Sequence, residues 1–460
     1  QAVLDEQRGV VQNEKRQGQN QPYGEQYERL GAAMYPVGHP YHHTTIGSMN
    51  DLNAATLDDV KNWFRSWYGP NNAVLVLAGD IDVATAKEKV TRYFGHIAPS
   101  ASKPKAKKQI AARKVSTLET ITDAVPQTRI VRAWNIPGFA DPDSAQLELF
   151  AQALAGAAAS RLDQRLVHRD KTADAVSAMV DDSELGGAFL MQIDVKAGGD
   201  AAAVEKAADE ELQRLLATGP TAAELAQART LFRAAFVRGL ERIGGFGGKS
   251  DVLASCAVFT GKPDCYAKRL ATYERATVAS VKKAAQKWLR RGDHTLWITP
   301  GERVPLAEPP TPANLPPTKV AKPDARLRAL PPAVDRSTGV PMPSADPPVV
   351  FPTLQRATLS NGVKVIIAER RDLPLVSLRL DVLGAGTASD RAGRAGLASF
   401  AMNMLDEGAG NYGALALGNQ LESLGARLST SANLDTASIN VSALANQLAP
   451  TIALMADVLL

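Results

Sequence analysis

QAVLDEQRGVVQNEKRQGQNQ, residues 1–21, is the stretch from which the interpretation of the whole chain starts. Val3, Gln7, Val11 and Glu14 recur within it at three- and four-residue steps, so they share one face of a predicted helix. Burial of an unpaired carboxylate is costly, and Glu14 on this face therefore needs a cation or hydrogen-bond donors. The pattern alone leaves two interpretations open, which are an ion pair with an arginine or lysine and a metal ligand.

The other faces of the same predicted helix carry charged and polar side chains. Asp5, Arg8, Gln12, Lys15 and Arg16 fall on these faces. We expect water to reach these five side chains, whereas the glutamate lies on the valine-lined side.

Longer strings in the first part of the chain carry a family resemblance. RGVVQNE (residues 8–14), PYG (22–24) and HPYHHTTIGSMNDLNAATLDDVKNWFRSWYGPNNAVLVLAGDID (39–82) resemble the pitrilysin/insulinase family of zinc metallopeptidases, peptidase family M16. In that family this helix supplies the third zinc ligand, a glutamate, and the match of RGVVQNE places the ligand at Glu14. The position two turns earlier, which is acidic in many members, is Gln7 here.

The resemblance also implies residues that this sequence does not contain. In the family, an inverted H-x-x-E-H motif upstream of the glutamate helix supplies the other two zinc ligands and the general base. The 460 residues contain no such motif, begin with Gln1 and end within the apolar run IALMADVLL. We therefore expect a fragment of a longer polypeptide. One carboxylate cannot hold zinc tightly, so we expect this chain alone to be inactive and to bind little zinc.

The implied activity is zinc-dependent endopeptidase hydrolysis of peptides or small unfolded proteins. In the complete protein one zinc ion would polarise a water and the scissile carbonyl, and a glutamate would move the proton. The expected partners are a peptide substrate, the missing upstream catalytic segment, and a downstream repeat or partner subunit. The alternative is a non-catalytic structural or peptide-binding homologue of the family. Glu14 favours the enzyme, because an inactive repeat needs no acid at that position.

A second, degenerate repeat is predicted towards the end of the chain. RAGLASFAMNML (residues 394–405) resembles the zinc-binding helix of the family. Ser399, Met402 and Asn403 occupy its histidine, glutamate and histidine positions, and none of them supplies the base or the ligand set.

The predicted fold class is α+β, with repeated α/β subdomains in which helices pack on largely antiparallel sheets, as in insulinase-like proteins. Buried apolar runs and alternating patterns predict strands at residues 73–78, 128–136, 176–180, 189–195, 295–299, 363–368, 375–383, 427–431 and 437–443. The predicted domains are the remainder of a first subdomain at 1–99, a basic connector at 100–124, a second subdomain at 125–300, a proline-rich linker at 301–352 and the start of the degenerate repeat at 353–460. Residues 300–352 hold 15 of the 28 prolines, which predicts an extended spacer.

Composition and charge exclude some classes of function. A formal net charge of +4 is small for 460 residues and does not indicate a nucleic-acid partner. The run KPKAKK, residues 103–108, is interpreted as a solvated connector. No apolar run is long enough to span a membrane, so no membrane partner is expected. Similarity to exported bacterial two-repeat members implies a periplasmic location, with the cytoplasm as the alternative.

The two cysteines, Cys256 and Cys265, flank the turn sequence Gly261-Lys262-Pro263. The pattern leaves open whether they form a disulfide, which would suit an exported protein, or remain two thiols.

Three further motifs tempt a functional interpretation. The histidines of HPYHH (residues 39–43) lie in a loop interrupted by glycine and proline, so His39 and His43 are not a pair on one helix face, and we expect the three to pack or hydrogen-bond rather than bind metal. GGFGGKS (244–250) lacks the glycine spacing of a phosphate loop, and a helix break with close backbone packing is expected. Arg161 begins a helix that resembles a family motif, but Ala173-Asp174-Ala175 stands where many members have a carbonyl-binding tyrosine, so no role is assigned.

Overall fold

The first hundred residues of this computed structural model contain five α-helices, one short 3-10 helix at Pro70–Asn72 and no sheet. The structure describes residues 1–100, 107, 109–157, 160–309, 325–335, 337, 339–340, 342, 345, 348 and 350–459. The five helices are α1 (Ala2–Asn20), α2 (Gln26–Met34), α3 (Met49–Ala54), α4 (Leu57–Trp67) and α5 (Val83–Phe94). A capping box formed by Thr56 and Asp59 starts α4. The predicted opening helix is therefore present as α1.

A five-stranded sheet and six helices follow between Thr117 and Pro300. The strands are β1 (Thr117–Asp123), β2 (Arg129–Ile136), β3 (Ala173–Asp182), β4 (Gly187–Val195) and β5 (His294–Pro300). The helices are α6 (Pro142–Ala155), α7 (Ala201–Thr218), α8 (Ala222–Gly239), α9 (Lys249–Thr260), α10 (Cys265–Arg275) and α11 (Val278–Leu289), with a π-helical segment at Asp163–Arg169. The strand order is β1-β5-β2-β4-β3, in which β1 and β5 are parallel and the other neighbours antiparallel.

The main core lies between one face of this sheet and its helices. Trp134 of β2 and Phe189 of β4 are opposite each other in the register, with ring centroids 5.8 Å apart. Phe150 of α6 meets Phe189 from above at 6.1 Å. All three side chains are buried, so the burial of their apolar surface stabilises the packing of α6 on the sheet.

The last described part, from 350 to 459, contains smaller sheets. Its strands are β6 (Leu354–Thr358), β7 (Lys364–Ala368), β8 (Leu375–Leu383), β9 (Gly408–Ala409), β10 (Tyr412–Gly413), β11 (Arg427–Ala432) and β12 (Thr436–Leu444). Its helices are α12 (Leu397–Asn403), α13 (Ala414–Ser423) and α14 (Leu448–Leu459). Strand β12 pairs antiparallel with β8 on one side and β11 on the other. The α+β class with helices on largely antiparallel sheets is thus confirmed.

The predicted strand at 73–78 is wrong. These residues form no strand, and no strand in the described ranges pairs with them. Val74, Leu75 and Leu77 are each about half exposed. A strand needs a neighbouring strand that hydrogen-bonds to its backbone groups. An apolar run in the sequence does not by itself show that such a neighbour exists.

The domain boundaries stay predictions, and residues 101–106, 108 and 310–324, in the basic connector and the linker, lie outside the described residues. None of the helices in the described ranges combines the length and apolar character that a bilayer span requires. The cysteine question is resolved, since Cys256 and Cys265 form a disulfide between α9 and α10.

Candidate functional site

Helix α1 is attached to its neighbours mainly by polar side chains. The guanidinium of Arg8 donates to the carbonyl oxygens of Leu52 and Ala55, at 2.9 and 2.7 Å. Val3, by contrast, is 71% exposed, so the valine-lined face does not pack into a core. Lys15 is the one buried residue that the helix contains.

Lys15 is the first correction to the sequence interpretation, which placed it on a water-facing side. Its ammonium lies 2.7 Å from a carboxylate oxygen of Glu28 and 2.9 Å from the carbonyl oxygen of Gly47. A carboxylate oxygen of Glu308 lies 3.4 Å away on the other side. The side chain was missed because amphipathic periodicity locates apolar residues and cannot locate a buried ion pair.

Glu14, the candidate zinc ligand, is exposed. Within the described part of the chain its carboxylate has no hydrogen bond and no ion pair. The ion pair that the helical pattern left open is therefore not present among these residues. The carboxylate is available to an incoming metal, and its chemistry suits one position of a zinc site.

The described residues do not complete such a site. No group of three histidine, cysteine, aspartate or glutamate side chains with metal-binding geometry lies among them. Glu14 therefore fits zinc as a single ligand, and no step of a zinc reaction can be derived from the residues described.

Two of the three clustered histidines, His39 and His42, pack or hydrogen-bond as expected, whereas His43 is exposed. His39 is buried and stacks on Tyr35, with ring centroids 4.6 Å apart. Its two ring nitrogens lie 3.1 Å from the carbonyl oxygen of Gln109 and 3.0 Å from the backbone nitrogen of Tyr41. His42 lies 2.7 Å from the carbonyl oxygen of Tyr35. Through these contacts the two rings hold the loop at residues 39–43 against Tyr35 and Gln109.

Arg161 also has a structural partner. Its guanidinium binds the carboxylate of Glu224 through two hydrogen bonds, of 2.8 and 3.0 Å. Burial raises the pKa of Glu224, but the hydrogen bonds from Arg161 and from the backbone of Thr221 outweigh that effect and hold the pKa below its usual value. Arg161 thereby fastens the start of α8, where Thr221 and Glu224 form a capping box.

The GGFGGKS motif is the helix break that was expected. Helix α8 ends at Gly239 and α9 begins at Lys249. Gly245 and Gly247 have φ of +76° and +73°, which favours glycine. A Cβ on Gly239 would lie 2.6 Å from the carbonyl oxygen of Gly247, so the backbones also approach closely.

A half-buried polar network between α6, α10 and β3 was not found from sequence. Tyr273 donates its hydroxyl proton to Glu148, and the guanidinium of Arg269 lies 2.9 Å from Glu148 and 3.1 Å from Asp182. Burial raises the pKa of Glu148, although Arg269 partly opposes this. Arg269 also lines a cavity of about 610 Å³. The residues of the network lie far apart in the sequence, so no local motif predicts it.

The stretch predicted to begin a degenerate repeat contains α12, the helix that carries Ser399, Met402 and Asn403. Met402 packs against the apolar cluster below the helix, and its carbonyl oxygen accepts from the Thr430 hydroxyl at 2.7 Å. Ser399 and Asn403 lie on the same short helix. A thioether, a hydroxyl and an amide at these positions offer no general base.

Comparison with known sequences gives one family and a small set of relatives. The model described as "Peptidase M16 inactive domain" matches residues 54–232. Zinc protease PqqE of Helicobacter pylori is 28% identical over 241 residues, which cover 51% of this chain and 53% of that protein. Protein YhjJ of Escherichia coli is 23% identical over 80 residues, 17% of this chain and 16% of that protein. The chain thus spans about half the length of the first of these relatives.

Solved structures show the same fold. A protease from Helicobacter pylori has a TM-score of 0.59 at 23% identity, over 65% of this chain and 72% of that chain. The periplasmic protease PqqL from Escherichia coli has a TM-score of 0.52 at 18% identity, over 99% of this chain and 52% of that chain. These structures show the fold, and the family-model match together with the relative PqqE confirms the resemblance to M16 peptidases. The family-model match is to the domain described as inactive.

Proposed function

We propose that this chain, which is of the M16 type in sequence and fold, is part of a zinc-dependent endopeptidase acting on peptides or small unfolded proteins. In this proposal Glu14 supplies the third zinc ligand. An upstream segment supplies the other ligands and the general base, and a downstream repeat or partner subunit completes the substrate chamber.

The observation that carries the proposal is the state of Glu14. Its carboxylate is exposed and unpaired within the described residues, on a helix whose neighbouring Lys15 is fully engaged. A bound zinc would polarise a water molecule and the carbonyl of the peptide bond to be cut. The contribution of this chain is to hold one carboxylate at the metal.

Two further observations support a periplasmic location. The relative PqqL is named a periplasmic protease. The Cys256–Cys265 disulfide is of the kind that persists in oxidising compartments.

A second candidate function is a non-catalytic structural or peptide-binding homologue. It is favoured by the match to an inactive-domain model and by Ser399, Met402 and Asn403 at the former metal positions of α12. The two candidates differ in whether the full-length protein cuts peptides.

The test is peptide hydrolysis by the full-length protein, with and without a zinc chelator. The enzyme proposal predicts hydrolysis that the chelator abolishes, that zinc restores and that Glu14→Gln removes. Glu6→Gln is the matched control, since Glu6 is an exposed carboxylate on the same helix. A coding sequence without H-x-x-E-H in the several tens of residues before Gln1, or a full-length protein without hydrolysis, would favour the non-catalytic candidate.

A further inference from the structure

The segment that leaves β5 runs back across the N-terminal helices. Arg303 forms an ion pair with Asp123 and donates to the carbonyl oxygen of Gln21, at 3.2 Å. The backbone nitrogen of Leu306 donates to the carboxylate of Glu25, at 3.0 Å. Residues 301–309, here named the strap, are therefore fastened to the helical part of the chain before the linker continues.

The far end of the strap reaches α1 itself. One carboxylate oxygen of Glu308 accepts from the backbone nitrogen of Met49, at 2.8 Å. The other lies 3.4 Å from the ammonium of Lys15. The side chain of Asn50 donates to the carbonyl oxygen of Pro309, at 2.9 Å. The strap thus meets the one buried side chain of α1.

Lys15 and Arg8 together fix the rotation of α1 about its own axis, Arg8 through its hydrogen bonds to Leu52 and Ala55. Val3 and Val10 contribute little to holding the helix, because each is more than half exposed. The lysine side chain is only 1% exposed and lies between α2, the turn at Gly47 and the strap. Consecutive helical residues differ by about 100° in direction, so fixing Lys15 also fixes the direction of Glu14.

We propose that Lys15 and Glu308 are positioning residues for the metal-ligating carboxylate of Glu14, and that they couple the linker between the repeats to the metal. This inference rests on the proposed function. Metal–ligand distances tolerate only about 0.2 Å, and a small rotation of α1 would exceed that at the carboxylate. A shift of the strap, which leads into the linker, therefore changes the direction of Glu14.

The test compares zinc dissociation constants and cobalt absorption spectra of full-length variants. Lys15→Met keeps most of the side-chain volume, and Glu28 and Glu308, which are 18% and 26% exposed, remain accessible to water. We expect Lys15→Met to weaken zinc binding by up to about 10-fold, the lower end of the loss seen for residues bonded directly to a ligand, and to alter the cobalt spectrum. Lys15→Arg should restore part of both, and Glu308→Gln should cause a smaller loss.

Lys287→Met is the matched control, because that lysine binds Asp143 at the surface of α11 and should leave zinc binding unchanged. If Lys15→Met does not fold, Glu308→Gln decides. Unchanged zinc affinity and an unchanged cobalt spectrum in the folded variants would overturn the positioning role. If Glu14→Gln removes zinc in the same series, the proposed function stands even though the positioning role of Lys15 and Glu308 is overturned. Zinc binding that survives Glu14→Gln would overturn the proposed function as well.

Discussion

Arg29 of α2 binds Glu25, the residue that precedes this helix, and Glu119 on strand β1, each at 2.9 Å, and so joins the N-terminal helices to the main sheet. Arg29 and Glu25 are both buried. The carboxylate of Glu25 also accepts a hydrogen bond from the backbone nitrogen of Leu306 in the strap. The Arg29–Glu25 ion pair therefore lies between α2, the sheet and the strap.

Replacing Arg29 with methionine should destabilise the protein strongly. The substitution leaves Glu25 buried without its cation, and breaking a buried pair in this way costs about 3–5 kcal/mol. Urea denaturation of both proteins measures the difference. Arg370→Met is the matched control, because the Arg370–Asp372 pair is exposed and its loss should change nothing measurable. Equal midpoints for wild type and Arg29→Met would contradict this reasoning.

The disulfide between α9 and α10 should stabilise the native protein by about 2.5 kcal/mol, as the restriction of a short loop in the unfolded chain predicts. The reduced wild type should lose about this amount, and Cys256→Ser/Cys265→Ser should lose more, because Cys256 is buried and a serine hydroxyl there is costly to desolvate. Both are compared with the oxidised protein by chemical denaturation. A mass spectrum showing two free thiols in the oxidised preparation would remove the basis of the prediction.

His294 makes stability depend on pH. Burial lowers its pKa, the charge of Arg113 lowers it further, and Glu119 and Asp293 only partly oppose them. The folded state therefore holds the neutral ring, and the unfolded state, with a pKa near 6.5, binds a proton more readily. The stability from this group is complete above pH 6.5 and is lost as the pH falls through the folded-state value.

The measurement is the free energy of unfolding between pH 7.5 and pH 5. Wild type should lose stability over this range, and His294→Gln should lose less because it removes the titrating ring. His43→Gln is the control, since that ring is exposed. A wild-type curve parallel to that of His294→Gln would show that the ring does not couple to folding.

Much of the fold follows from local pattern in the sequence. The strand 128–136 was predicted from its apolar run, and it is β2, whose Trp134 is buried against Phe189. Strand β1 was missed because its sequence TLETITD is polar and its residues are largely exposed at the sheet edge. The run at 73–78 has the sequence pattern of a strand, but no strand in the described ranges pairs with it, so it does not form one.

The candidate site divides in the same way. Glu14 is predicted as a zinc ligand because a long string carries the family resemblance, and the structure adds that it is exposed and unpaired within the described residues. Lys15 was misplaced because its partners Glu28, Gly47 and Glu308 come from three distant segments. Tertiary ion pairs of this kind leave no periodic signal in the chain.

Zinc content of the full-length protein tests the central claim most directly. Wild type, Glu14→Gln and Glu6→Gln are purified in parallel, and bound zinc is counted per polypeptide after dialysis. We expect one zinc in wild type and in Glu6→Gln, and almost none in Glu14→Gln. One tightly bound zinc in Glu14→Gln, with the affinity of wild type, would contradict that claim.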